Sequence, residues 1–303
     1  MDLSFIESAV PHAEAAFGGA IRSAAIVLVI AILVGVARQL SSDESNWTID
    51  LAGVLAISML AVGDAYAFMG LGRTTITGLS DLSKIILPTL AGAAAASGTP
   101  TAAAAQFAVT ALFMDALISV SENVLQPLIY AYLASEIAGA ASGGEAMSGV
   151  SGFLKWLCTA VLSVIVLVFI LYLSITGIVS SATDAAAVRV AKTTISTALP
   201  VVGSILSDAA SSVLAGAMTL KNSIGVTGMI SILTLCLIPF LNLGAQYLLY
   251  KASSKLSAGF AGGRIAKLVN GIAGAFGLML GAVGACGLML FFSLISMLSV
   301  RGG

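Results

Sequence analysis

Residues 156–178 read WLCTAVLSVIVLVFILYLSITGI, a run without a single charged side chain. About 20 consecutive apolar residues suffice for a helix to cross the hydrocarbon core of a bilayer. Lipid offers no partner for backbone N–H and C=O groups, so a spanning segment must pair them internally, as a helix or a closed barrel. Barrel strands alternate apolar and polar residues over about ten positions. The run at 156–178 is continuous and too long for that pattern, so it is a helix.

The rest of the chain follows from this stretch. Of 303 residues, 59% are hydrophobic and only 9% charged, and the mean hydropathy is +1.08. Soluble domains carry about 25% charged residues. The expected fold class is therefore all-α, a polytopic transmembrane helical bundle forming a single membrane domain over 1–303. Spans are expected near 19–38, 48–71, 153–179, 226–250 and 271–298. The run 102–138, broken by Asp115, Glu122, Gln126 and Pro127, is long enough for one broken span or two short ones, and the simplest count is six crossings. Two segments rich in Ala, Ser, Thr and Gly, 84–98 and 187–220, each carry a central Leu-Pro. They are expected to form re-entrant or interfacial hairpins, because proline removes a donor and clashes one turn back. The lining of such breaks must be protein or water.

Orientation follows the Lys/Arg bias of short loops. Lys251, Lys255, Arg264 and Lys267 form the strongest basic cluster, and Arg38 and Lys155 mark two further ends of the same sense. These ends are expected in the cytoplasm and both termini outside. The first 16 residues carry Asp2, Glu7 and Glu14 and no Lys or Arg. They do not make a basic signal-peptide start, and the first span is expected to act as an uncleaved targeting signal.

A repeat with an offset of 112 residues is suggested by Pro88 and Pro200, Pro127 and Pro239, and Lys155 and Lys267. It would divide the chain into units 48–155 and 156–267 followed by a final helix, 271–298. Its weight is even with coincidence, although such repeats are common in transport folds.

Ionisable groups at membrane depth usually face a bundle interior or a wet cavity. Asp115, Glu122 and Gln126, spaced by seven and four, are expected to share a face and could form a polar lining. Asp64 is expected to be a hydrogen-bonded packing residue or to lie near an interface. Gly274, Gly277, Gly281 and Gly284 share one side of the last helix, where small residues let another helix approach closely. Cys158, Cys236 and Cys286 stand singly in apolar runs and His12 is the lone histidine, so no metal or redox site is expected. There is no P-loop, HExxH or GxSxG motif, and no enzyme activity or cofactor is expected. A net charge of −1 points to no nucleic-acid partner. The partner common to the whole chain is the lipid bilayer.

Residues 176–228 add a second kind of information. Gly177, Asp184, Lys192, Leu199-Pro200-Val201-Val202-Gly203, Ser207-Asp208-Ala209, Lys221-Asn222, Gly225 and Gly228 stand in an order and spacing that resembles the stage III sporulation protein AE family of endospore-forming Firmicutes. The resemblance runs from about residue 50 to 298 and is sharp in 176–228. It departs at the front, where family members carry a signal-like segment and a longer extracytoplasmic region. The resemblance implies a membrane subunit of a channel or secretion-like complex, encoded in one operon, in the mother-cell membrane around the forespore. The implied partners are other stage III sporulation proteins of that operon, including the AA ATPase and ring-forming proteins of the intermembrane space. An autonomous secondary transporter with broken helices is the alternative that the residues alone allow. The functional segment is expected at Asp184, Lys192, Pro200, Gly203 and Asp208, in a hairpin bent at 200–203.

Overall fold

A computed structural model describes residues 3–42, 45–96, 100–143, 145–175 and 223–299. Among them every regular element is a helix: α1 (Leu3–Leu40), α2 (Asn46–Ala96), α3 (Pro100–Val120), a π-turn (Ser121–Leu125), α4 (Gln126–Ser142), α5 (Glu145–Ile175), α6 (Ser223–Phe260) and α7 (Gly263–Ser299). Six of these stretches are long and apolar enough to cross a membrane: 18–40, 46–89, 111–142, 147–171, 227–260 and 263–295. The chain is an integral, multi-pass α-helical membrane protein, with spans where the apolar runs predict them. The expected hairpin around 200–203 lies outside the described residues.

The helices divide their surfaces as lipid solvation demands. In α1, Ala20, Ala24, Val27, Ala31 and Val34 are buried, whereas Ile21, Val29, Leu33 and Val36 are exposed. The buried set recurs every three or four residues, so one stripe faces protein and the rest faces acyl chains. α7 differs. Of its most apolar window 89% is buried, against 22–39% for the other five spans.

One expectation needs correction. Residues 84–96 do not form a separate hairpin, because α2 runs unbroken from Asn46 to Ala96 with Pro88 inside it. Freed backbone groups around a proline can be re-satisfied by side chains and small local adjustments in a membrane helix, so Leu87-Pro88 does not end this one. At 51 residues it is about 76 Å long.

The run 102–138 is helical on both sides of a π-turn. Pro127 lacks an N–H and its ring crowds the carbonyl four residues back. The π-turn at Ser121–Leu125 directly precedes it, a wider turn of the kind that accommodates such a mismatch. The Asn123 amide donates to the Ser119 carbonyl at 3.0 Å, which satisfies an acceptor within the disturbed turn.

By their contacts the residues form two compact units. In the first (1–72, 126–158 and 238–280), α7 meets α2, α4 and α6. Phe276 packs edge-on to Phe68 and against Tyr250, with centroids 5.9 and 5.3 Å apart. The α4–α5 and α6–α7 turns are both closed by arginine. Arg264 donates from Nε to the Ala140 carbonyl at 2.6 Å and from Nη2 to Ala141 at 2.7 Å. Arg38 donates to the Ala261 carbonyl at 3.1 Å and stands 3.5 Å from Asp50. A cation at a helix C-terminus satisfies orphan carbonyls and complements the dipole. These contacts gather the C-termini of α1, α4 and α6 at one end of the unit.

In the second unit (73–125, 159–237 and 281–303), α7 meets α5 through Phe292 and Phe169, 6.1 Å apart, and α6 where Gly287 abuts Cys236.

Candidate functional site

Among the described residues, the polar groups at membrane depth fall into two sets, one in each unit. In the second unit the π-turn sorts its residues to opposite sides. Ser121 is buried and its hydroxyl lies 3.6 Å from the Cys286 sulfur of α7. Glu122 is half-buried, Asn123 is exposed, and the helical turns before them leave Asp115 and Ser119 exposed. The Thr77 hydroxyl donates to Glu122 Oε1 at 2.7 Å and also lies 3.1 Å from the Arg73 carbonyl. That bond joins the π-turn to a polar stripe on α2. Arg73, Thr77, Asp81 and Lys84 are all exposed and recur at intervals of three or four, the spacing of one helix face. Lys84 and Asp81 pair at 3.4 Å.

Depth follows from Cys286. It lies fifteen residues from Gly271 and twelve from Leu298 in the uncharged run of α7. At a rise of 1.5 Å per residue, it is about 22 Å and 18 Å from the two ends. Glu122, next to the residue that touches Cys286, is therefore near mid-depth.

In the first unit the Tyr250 hydroxyl donates to Asp64 Oδ2 at 2.6 Å, and Lys251 donates to Asn270 Oδ1 at 2.7 Å. Gln246 is fully buried, and neither amide atom has a hydrogen-bond partner among the described residues; the same holds for the Gln126 amide nitrogen.

The expected site residues are thus distributed. Asp115 is exposed, Glu122 is half-buried and bonded to Thr77, and Gln126 is buried. The π-turn breaks the 3.6-residue count on which a common face depended. Gly274, Gly277, Gly281 and Gly284 are all buried in α7. A Cβ at Gly274 would stand 2.6 Å from the Tyr132 hydroxyl, and one at Gly277 would stand 3.0 Å from Tyr247. The partners at these two glycines are α4 and α6 of the same chain. Asp184, Lys192, Pro200, Gly203 and Asp208 lie outside the described residues. Among the described residues no three His, Cys, Asp or Glu side chains gather in a way that could hold a metal ion.

The α2 stripe was missed because residues 72–83 fell between two expected elements. Its signal was the spacing of Arg73, Thr77, Asp81 and Lys84, visible once the helix is drawn through Leu87-Pro88.

Comparison with known proteins adds a lineage to this geometry. The model of the family described as stage III sporulation protein AE matches residues 15–301. The chain belongs to this family. A curated member, stage III sporulation protein AE of Bacillus subtilis (strain 168), is 21% identical over 240 residues, which is 79% of this chain and 60% of the relative. The chain thus spans about three-fifths of the length of that relative. No solved structure matches. Of the family-like glycines named above, Gly228 lies in α6, where an added Cβ would stand 3.4 Å from Ile86 and 3.5 Å from Leu294. It marks a close approach of α6 to α2 and α7 in the second unit.

Proposed function

We propose that this chain is a non-enzymatic membrane subunit of a channel-like or secretion-like complex that links mother cell and forespore during endospore formation. It would sit in the mother-cell membrane around the forespore. Its partners would be other stage III sporulation proteins, among them the AA ATPase and the ring-forming proteins of the intermembrane space. The family match over 15–301 carries this reading. Six candidate spans, with α7 89% buried over its most apolar window, support the role of an embedded scaffold. The absence of nucleophile–base motifs from the sequence is consistent with that role.

The test is purification from sporulating cells, with mass spectrometry of the proteins that accompany the tagged chain. Co-purification of stage III proteins, and loss of spores when the gene is deleted, is the expected result. A chain that purifies alone and moves a small solute across liposomes without partners would overturn it. Within the family-like segment, Asp208→Ala and Gly203→Leu should each block sporulation while the protein still inserts in the membrane.

A further inference from the structure

We propose that the face formed by Arg73, Thr77, Asp81 and Lys84 of α2 with Asp115, Ser119, Glu122 and Asn123 of α3 and the π-turn is a hydrated surface that lines a water-filled path. The inference deepens the channel-like reading, but its observations stand without the family.

Depth comes first. Ser121 touches Cys286, near the middle of the uncharged run 268–300. The Thr77–Glu122 bond lies beside that contact. A charged side chain in hydrocarbon costs several kcal/mol, so intramembrane ionisable residues face protein or water. Among the described residues, four of the five here are exposed rather than packed against protein. Asp81 and Lys84 keep 66% and 65% of their side-chain surface exposed, and Arg73 and Asp115 are exposed too.

Clustering comes second. Eight polar residues on two helices recur at helical spacing to either side of the Thr77–Glu122 bond. Elsewhere among the unit's described residues no exposed position is charged, and Val164, Leu167, Ile170 and Leu171 on α5 are apolar. A cleft of about 450 Å³ lined by Phe113, Leu117, Val120, Val164 and Ile165 is wholly apolar. The unit thus presents one surface suited to acyl chains and another suited to water. The polar surface holds three carboxylates and two cations. That near balance suits water and small polar solutes better than ions of one sign.

Thiol chemistry tests this directly, because the thiolate is the reactive form and water favours it while apolar surroundings suppress it. Thr77→Cys, Ser119→Cys and Leu167→Cys would be reconstituted separately in liposomes. Each would be treated with a charged methanethiosulfonate, with the parent chain as background for its own three cysteines. Thr77→Cys and Ser119→Cys should react at least about tenfold faster than Leu167→Cys, the factor that one unit of thiol pKa alone produces. Rates at both positions no faster than at Leu167 would overturn the proposal, whether lipid or protein covers the face. No partner protein is needed, so failure here is distinct from failure to co-purify with sporulation proteins.

Discussion

The Tyr250 hydroxyl donates a 2.6 Å hydrogen bond to Asp64 Oδ2, joining α6 to α2 across 186 residues of sequence. Tyr250 is fully buried and its ring rests on Phe276 of α7. The carboxylate and the phenol satisfy one another where neither finds ample water.

Tyr250→Phe removes the donor and leaves Asp64 half-buried without it. A hydrogen bond to a charged group contributes about 1.5–3 kcal/mol, and Asp64's partial exposure places the expected loss at the low end. Asp64→Leu should cost a similar amount, because it strands the buried phenol. The double variant should lose less than the sum, a coupling that a double-mutant cycle of thermal unfolding in detergent measures. Strict additivity would show that the pair contributes nothing together.

Close helix contact at α7 gives a second prediction. A Cβ at Gly274 would stand 2.6 Å from the Tyr132 hydroxyl but 3.4 Å from the ring carbon that bears it. Gly274→Ala should therefore destabilise the protein, by about 1–3 kcal/mol for an overpacked core. Tyr132→Phe in the same chain should recover most of that loss, since only the oxygen is in the way. Gly63→Ala, where nothing lies within 4 Å of the new Cβ, should not destabilise. Thermal unfolding of the three variants decides it. No recovery in the double variant would mean that the helix backbones themselves, not the hydroxyl, set the distance.

The spans were legible because lipid leaves a sequence few choices. Uncharged runs such as 271–298 can only be helices, and α7 covers that run. What the runs conceal is continuity. Leu87-Pro88 looks like a stop under the rules of water, yet α2 passes through it to Ala96. With one expected element ending at 71 and the next beginning at 84, Arg73, Thr77 and Asp81 belonged to none and their common face was invisible. Glu122 was legible, since a carboxylate inside an apolar run stands out. Its neighbours were not. Counting 3.6 residues per turn puts Asp115 and Gln126 together, and the π-turn between them separates an exposed side chain from a buried one. The pairings of Glu122 with Thr77 and of Asp64 with Tyr250 span 45 and 186 residues and leave no periodic trace.

The arginine-closed turns make a prediction about sidedness. Arg38 at the end of α1 binds the Ala261 carbonyl after α6, and Arg264 at the start of α7 binds the last carbonyls of α4. The turns after α1, α4 and α6 therefore share one side. Arg38, Lys155, Lys251, Lys255, Arg264 and Lys267 all belong to that unit and lie at or within a few turns of those ends. The Lys/Arg bias places such an end in the cytoplasm. Ser42, Ser142 and Gly259 are exposed beside the three turns, and nothing crowds Gly259. Ser42→Cys, Ser142→Cys and Gly259→Cys should each resist an impermeant maleimide in right-side-out vesicles and react in inside-out ones. If all three react the other way round, the charge rule fails for this chain while the helix packing stands. If one reacts from the side opposite the other two, the arginine bonds cannot hold those turns together, and the packing of the first unit falls with them.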